Sequence, residues 1–151
     1  MFKNILAKFR SKKGTEIQID REIIYCIYRI LVNLRYDLVD SFYRIKDRRL
    51  REVYDSFAFM MLKYDKVLQF LRRTLNEDLY AKYPRLTPKE IEDLIQKLPL
   101  EVASTMRSLV QVTKLLKEFS LSAPSSYIIS TIKNLNDVVD DLAKYLDKVI
   151  E

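Results

Sequence analysis

Between Gly14 and Pro84 the chain has neither glycine nor proline, and apolar residues recur there at three- and four-residue steps. That period stacks them on one face of an α-helix, whereas a strand would alternate them. A first long helix follows from the stripe Ile24, Ile27, Leu31, Leu34, Leu38, Phe42 and Ile45, opened by a Thr15/Gln18 capping box or by Asp20 as N-cap. From Ile23 to Leu34 only Arg29 and Asn33 interrupt the apolar residues, which implies cover on more than one side. The polar run Lys46-Asp47-Arg48-Arg49 marks a tight turn or kink. A second long helix then carries Leu50, Tyr54, Phe57, Met61, Tyr64, Leu68, Leu71 and Leu75 as an a/d seam. Phe59, Met60 and Leu62 lie off that seam, so this helix is either central or offers a second face to another subunit.

Tyr83-Pro84-Arg85-Leu86 ends the pattern, and Thr87-Pro88-Lys89-Glu90 restarts it with an N-cap threonine, proline at the first helical position and a glutamate reaching back. A short helix comes next with Ile91, Leu94, Ile95 and Leu98 inward, stopped or kinked by Pro99. The helix after it carries Val102, Met106, Leu109, Val112 or Thr113, Leu116 and Phe119. Ser120 to Ser126 reads as a loop, with Ser125 or Ser126 able to cap the last helix. That helix repeats the seam as Ile128, Ile132, Leu135, Val139, Leu142, Leu146 and Val149. No strand of consequence is expected. The pattern predicts an all-α fold, an antiparallel four-helix bundle of long amphipathic helices with a short N-terminal amphipathic helix and a short connecting helix. Residues 1–14 form a basic arm and 15–151 a single bundle domain, whose core is completed within one chain or between two.

Composition removes whole classes of chemistry. Histidine is absent, which excludes Ser-His and Cys-His nucleophiles, histidine zinc sites and the Glu-x-x-His motif of di-iron bundles. A single glycine excludes phosphate-cradling loops. Adjacent carboxylates such as Asp140/Asp141 and Glu92/Asp93 point to different sectors of a helix and form no converging acid pair. Met60 and Met61 read as core filling, and the lone Cys26, in an apolar run, reads as a small buried hydrophobe. The expectation is a protein that is not an enzyme, with no cofactor, no metal and no evident small-molecule substrate. No apolar run reaches the ~18–20 residues that span a bilayer, and Lys8 and Arg10 interrupt any signal-peptide core. These point to a cytoplasmic protein, peripheral to a membrane at most. Scarce glycine, no tryptophan and 32% charged residues give a thermophile-like composition.

Charge changes the picture most. Residues 1–13 hold five positive charges and no negative one, while the 137 residues after Gly14 hold 22 basic and 21 acidic side chains. The first half of the chain carries three basic clusters: the arm (Lys3, Lys8, Arg10, Lys12, Lys13), the turn (Arg44, Lys46, Arg48, Arg49, Arg51) and the pair Arg72/Arg73. In an up-down bundle the turn cluster lies at the opposite end from the other two, so a polyanion touching all three must run along the bundle. The arm also has an apolar face of Phe2, Ile5, Leu6 and Phe9. Three readings of it compete: packing onto the body or a sister subunit, counterion release from nucleic acid, and insertion into an anionic membrane surface. The sequence thus predicts a binding or assembly protein, a small subunit that contacts a polyanion, with nucleic acid preferred. The alternative is a peripheral membrane or partner-docking protein whose arm is the contact.

Overall fold

A computed structural model describes residues 21–79 and 81–149, and within them the chain forms five helices and no strand: α1 (Arg21–Asp47), α2 (Arg51–Leu75), α3 (Pro88–Gln96), α4 (Leu100–Ser122) and α5 (Ser125–Val149). The arm, Gly14 and both candidate caps of the first helix lie outside the described residues. The four long helices pack as a bundle in which α1 touches α2 and α4, and α5 touches α2 and α4, while the diagonal pairs α1/α5 and α2/α4 do not meet. Direction alternates along the chain. Arg48, at the end of α1, donates to the carbonyls of Phe119 and Ser120 in the last turn of α4, and Lys148 near the end of α5 pairs with Glu101 at the start of α4. The neighbours α1 and α4 are therefore parallel, as are α2 and α5.

The α1 stripe is buried as the periodicity requires, except that Phe42 is half-buried, its ring 5.3 Å from Phe57 and 5.9 Å from Tyr54. Cys26, Tyr28 and Ile30 are buried as well, because helices flank α1 on two sides and the connecting segment covers a third. Burial of Arg29 is satisfied in part by the Tyr83 ring, whose centroid lies 4.4 Å from the guanidinium carbon. Tyr64 of α2 donates its hydroxyl to the Leu31 carbonyl at 2.5 Å, and its burial pushes the phenol well above its ordinary pKa. It stays a neutral donor, tying α1 to α2 by a bond of about 1 kcal/mol. Arg35 adds a two-point pair to Asp65 at 2.8 and 3.2 Å, and Lys63 joins α2 to α5 through Asp140 at 3.0 Å.

The core seam of α2 differs from the expected one. Val53, Phe57, Met60, Tyr64, Val67, Leu71 and Leu75 are buried, whereas Leu50, Tyr54, Met61 and Leu68 are only partly covered. The predicted seam is one edge of a wider apolar face. Because α2 packs against both α1 and α5, the line bisecting its two neighbours is the deepest, and that line runs through Val53, Met60 and Val67.

Both ends of α2 use left-handed residues. Arg49 (φ 57) closes α1 with bonds from Arg49 N–H to the Lys46 carbonyl and from Leu50 N–H to the Ile45 carbonyl. Asn76 (φ 56) closes α2 in the same way, onto Arg73 and Arg72. This pattern usually takes glycine or asparagine, so Arg49 is the unusual occupant.

The segment after α2 climbs the outside of α1. Tyr83 meets the Tyr28 ring edge-on at 5.9 Å, Asn33 accepts the Leu86 N–H at 2.7 Å, and Arg85 reaches Asp37 and Asp40. Thr87 then caps α3 with the full capping box to Glu90, a device worth about 1 kcal/mol. Ile91, Ile95 and Leu98 turn inward onto α1 and α4. In α4, Thr113 takes the buried position and Val112 the boundary. The expected Ser120–Ser126 loop is shorter: α4 continues to Ser122 and only Ala123-Pro124 breaks the helix. Ser120 keeps its turn helical by donating to the Lys117 carbonyl at 2.7 Å. Ser125 bonds to Glu52, so its hydroxyl joins α5 to α2. Every expected position of the α5 seam is buried save Val149, which is half-covered.

Candidate polyanion surface

The basic cluster at the α1–α2 turn divides into two groups with different work. Arg44 donates to the Lys117 carbonyl at 3.2 Å. Arg48 donates to the carbonyls of Phe119 (3.4 Å), Ser120 (3.3 Å) and Ala123 (2.8 Å). The last carbonyls of a helix carry partial negative charge, and Ser120 is among those without an intrahelical partner, so the Arg48 guanidinium completes the end of α4 and, with Arg44, pins it to α1. These two arginines join parallel neighbours.

Lys46, Arg49 and Arg51 face outward. All three are exposed, and none makes an ion pair among the described residues. Two of them occupy positions that local backbone physics disfavours. Arg49 is left-handed, which costs a residue with a Cβ about 1–2 kcal/mol. Arg51 is the first residue of α2, where the positive end of the helix dipole repels a cation. Tyr43, 57% exposed, lies one turn before Lys46. The neighbouring Glu52 is occupied by the Ser125 hydroxyl, which holds its carboxyl below the usual range.

The third cluster, the pair Arg72/Arg73, splits similarly. Arg72 is half-buried and donates to the Glu77 carbonyl at 3.4 Å, while Arg73 is exposed. Arg51 and Arg73 lie on the same outer face of α2, about 33 Å apart by helical rise. Between them, Phe59 and Leu62 are each 56% exposed, with Lys66 exposed beside them and Lys63 over the Phe59 ring at 5.0 Å. The exposed carboxylates on this face among the described residues are Asp55 and Glu52, and Glu52 accepts from the Ser125 hydroxyl. The second apolar face of α2 is therefore open here, edged by cations. The arm positions Lys3, Lys8, Arg10, Lys12 and Lys13, and the docking face Phe2, Ile5, Leu6 and Phe9, lie outside the described residues.

A groove lies on the other side of the bundle, between α1 and α4. The short α3 covers only the lower part of the seam between α1 and α4, and above its start the seam opens into a groove of about 710 Å³. Leu34, Val110 and Leu121 line it, with Arg44, Lys114 and Lys117 around it. The one signal for it in the sequence is the seven-residue spacing of Arg107 and Lys114, which puts both on one face of α4.

Among the described residues, no helix is long and apolar enough to cross a membrane, and no three His, Cys, Asp or Glu side chains gather where they could hold a metal ion. No protein family, curated protein or solved structure matches the chain.

Proposed function

We propose that the protein is a non-enzymatic binding and assembly protein that contacts a polyanion, preferentially single-stranded nucleic acid, through the α1–α2 turn and the outer face of α2. The observation that carries this reading is the placement of Arg49 and Arg51: both are exposed and without ion pairs among the described residues, Arg49 in a left-handed backbone position that a residue with a Cβ disfavours and Arg51 at the positive end of the α2 dipole. Strained or mismatched positions persist where another requirement retains them. Tyr43 and Phe59 supply π-faces on which unpaired bases stack, a contact worth about 1–3 kcal/mol each. The extended layout suits a strand running along the bundle better than a compact ligand.

The test is fluorescence anisotropy of the full chain with a labelled oligothymidylate of about twenty nucleotides. Micromolar binding is expected at low salt. With three or four phosphate contacts, log affinity falls against log salt with a slope of about −2 to −3. Absence of binding at about 50 mM salt, or binding with no salt dependence, overturns the reading.

A further inference from the structure

The groove between α1 and α4 has a chemistry that selects its occupant. Its lower part is filled by α3, a nine-residue helix with Ile91 and Ile95 inward and Glu90, Glu92 and Asp93 among its polar positions. Glu92 accepts from Arg107 of α4 at 2.6 Å, and this bond holds the Glu92 carboxyl below the usual range. Two turns further along α4, on the same face, Lys114 is exposed and makes no ion pair among the described residues. Across the groove, Arg44 of α1 bonds a backbone carbonyl and no carboxylate. The acids at this level offer little competition: Asp37 is shared by Arg85 and Lys117, which leaves Glu118 on the rim.

We infer that the open part of the groove seats a short acidic amphipathic helix of a partner protein, in the manner of α3. Leu34 and Val110 in the floor and the exposed Leu121 at the rim receive its hydrophobic stripe, and Lys114 and Arg44 receive its carboxylates. This is the helix-in-groove mode, in which apolar anchors give affinity and rim charges give orientation. The chain's own arm is the wrong occupant on charge grounds, since residues 1–13 bring five cations and no acid to a groove already rimmed by cations. The groove is on the α1–α4 side, and α2 does not touch α4, so it is separate from the outer face of α2, although its upper end at Arg44 and Leu121 lies at the same end of the bundle as the α1–α2 turn.

The probe is a labelled synthetic peptide of residues 87–98 carrying Lys89→Glu and Lys97→Glu, titrated into the full chain and followed by anisotropy and amide chemical shifts. Binding is expected, with shifts at Val110, Lys114 and Leu121. Lys114→Glu, a change at an exposed side chain, should weaken it about fivefold, and Leu121→Asp should do likewise by removing an exposed anchor. A peptide in which Glu90, Glu92 and Asp93 are lysines should not bind. The inference is overturned if the acidic peptide fails to bind or binds both variants equally. It is equally overturned if shifts gather at Ile95 and Met106, which means that the peptide displaces α3. Self-association of the free protein that Lys114→Glu abolishes makes a second copy the occupant and also overturns it.

Discussion

Replacing Lys46, Arg49 and Arg51 together by glutamate is expected to weaken oligothymidylate binding on the order of a hundredfold at low salt, about 2.7 kcal/mol, and to flatten the salt slope toward zero. The size follows from losing three phosphate contacts and placing three repulsive charges at the same end of the bundle. Fold disruption does not explain such a loss, because none of the three side chains is buried or ion-paired among the described residues. Helicity by circular dichroism and the melting midpoint should stay close to wild type. A variant that binds normally removes the turn from the interface. One that loses both helicity and binding assigns the cluster to folding instead.

The largest effect on stability is expected from Arg48. Its guanidinium holds three carbonyls at the end of α4 and in the α4–α5 connection. Charge-assisted bonds of this kind contribute about 1.5–3 kcal/mol together, with a further fraction from the α4 dipole. Arg48→Met keeps an unbranched apolar stem and removes the donors. It should lower unfolding free energy by about 2 kcal/mol, which for a chain of this size shifts the melting midpoint by roughly 4–8 °C. Oligothymidylate affinity should change by less than about threefold, because this charge faces the bundle. The converse result, full stability with lost affinity, means that Arg48 faces the ligand.

Arg48 and Arg49 show how far the chain can be read without its fold. The sequence shows one run of cations at a turn. Separating them requires knowing that the end of α1 lies beside the end of α4, and this depends on the climb of residues 81–87 along α1 and the descent of α3. Nothing in the periodicity states that path. Where one neighbour relation dominates, as in α5 or the stripe of α1, apolar steps of three and four name the core directly. In α2 the seam is displaced by one flank, because two neighbours share a wide apolar face and the pattern alone does not say which line bisects it. The serine-rich stretch at 120–126 looks like a loop by composition. A hydroxyl that bonds back to the preceding turn, as in Ser120, leaves a helix intact. The Thr87 cap is legible in full because every one of its bonds is local. For the candidate surface, residue types are legible and accessibility is not: Phe59 and Met60 are adjacent in sequence, yet one is half-exposed and the other buried.

The central claim is that the outward cations of the α1–α2 turn are held there for a ligand, and the Arg49→Gly variant tests it most directly. Glycine accepts the left-handed closing position without a Cβ clash, so the variant should be more stable than wild type by up to about 1 kcal/mol. The charge it lacks should weaken oligothymidylate binding roughly threefold to fivefold and make the salt slope about 0.7 shallower. Thermal melts and salt-dependent anisotropy on the same preparation decide it: a gain in stability with a loss of affinity is the predicted result, and a more stable protein that binds as wild type does contradicts the claim.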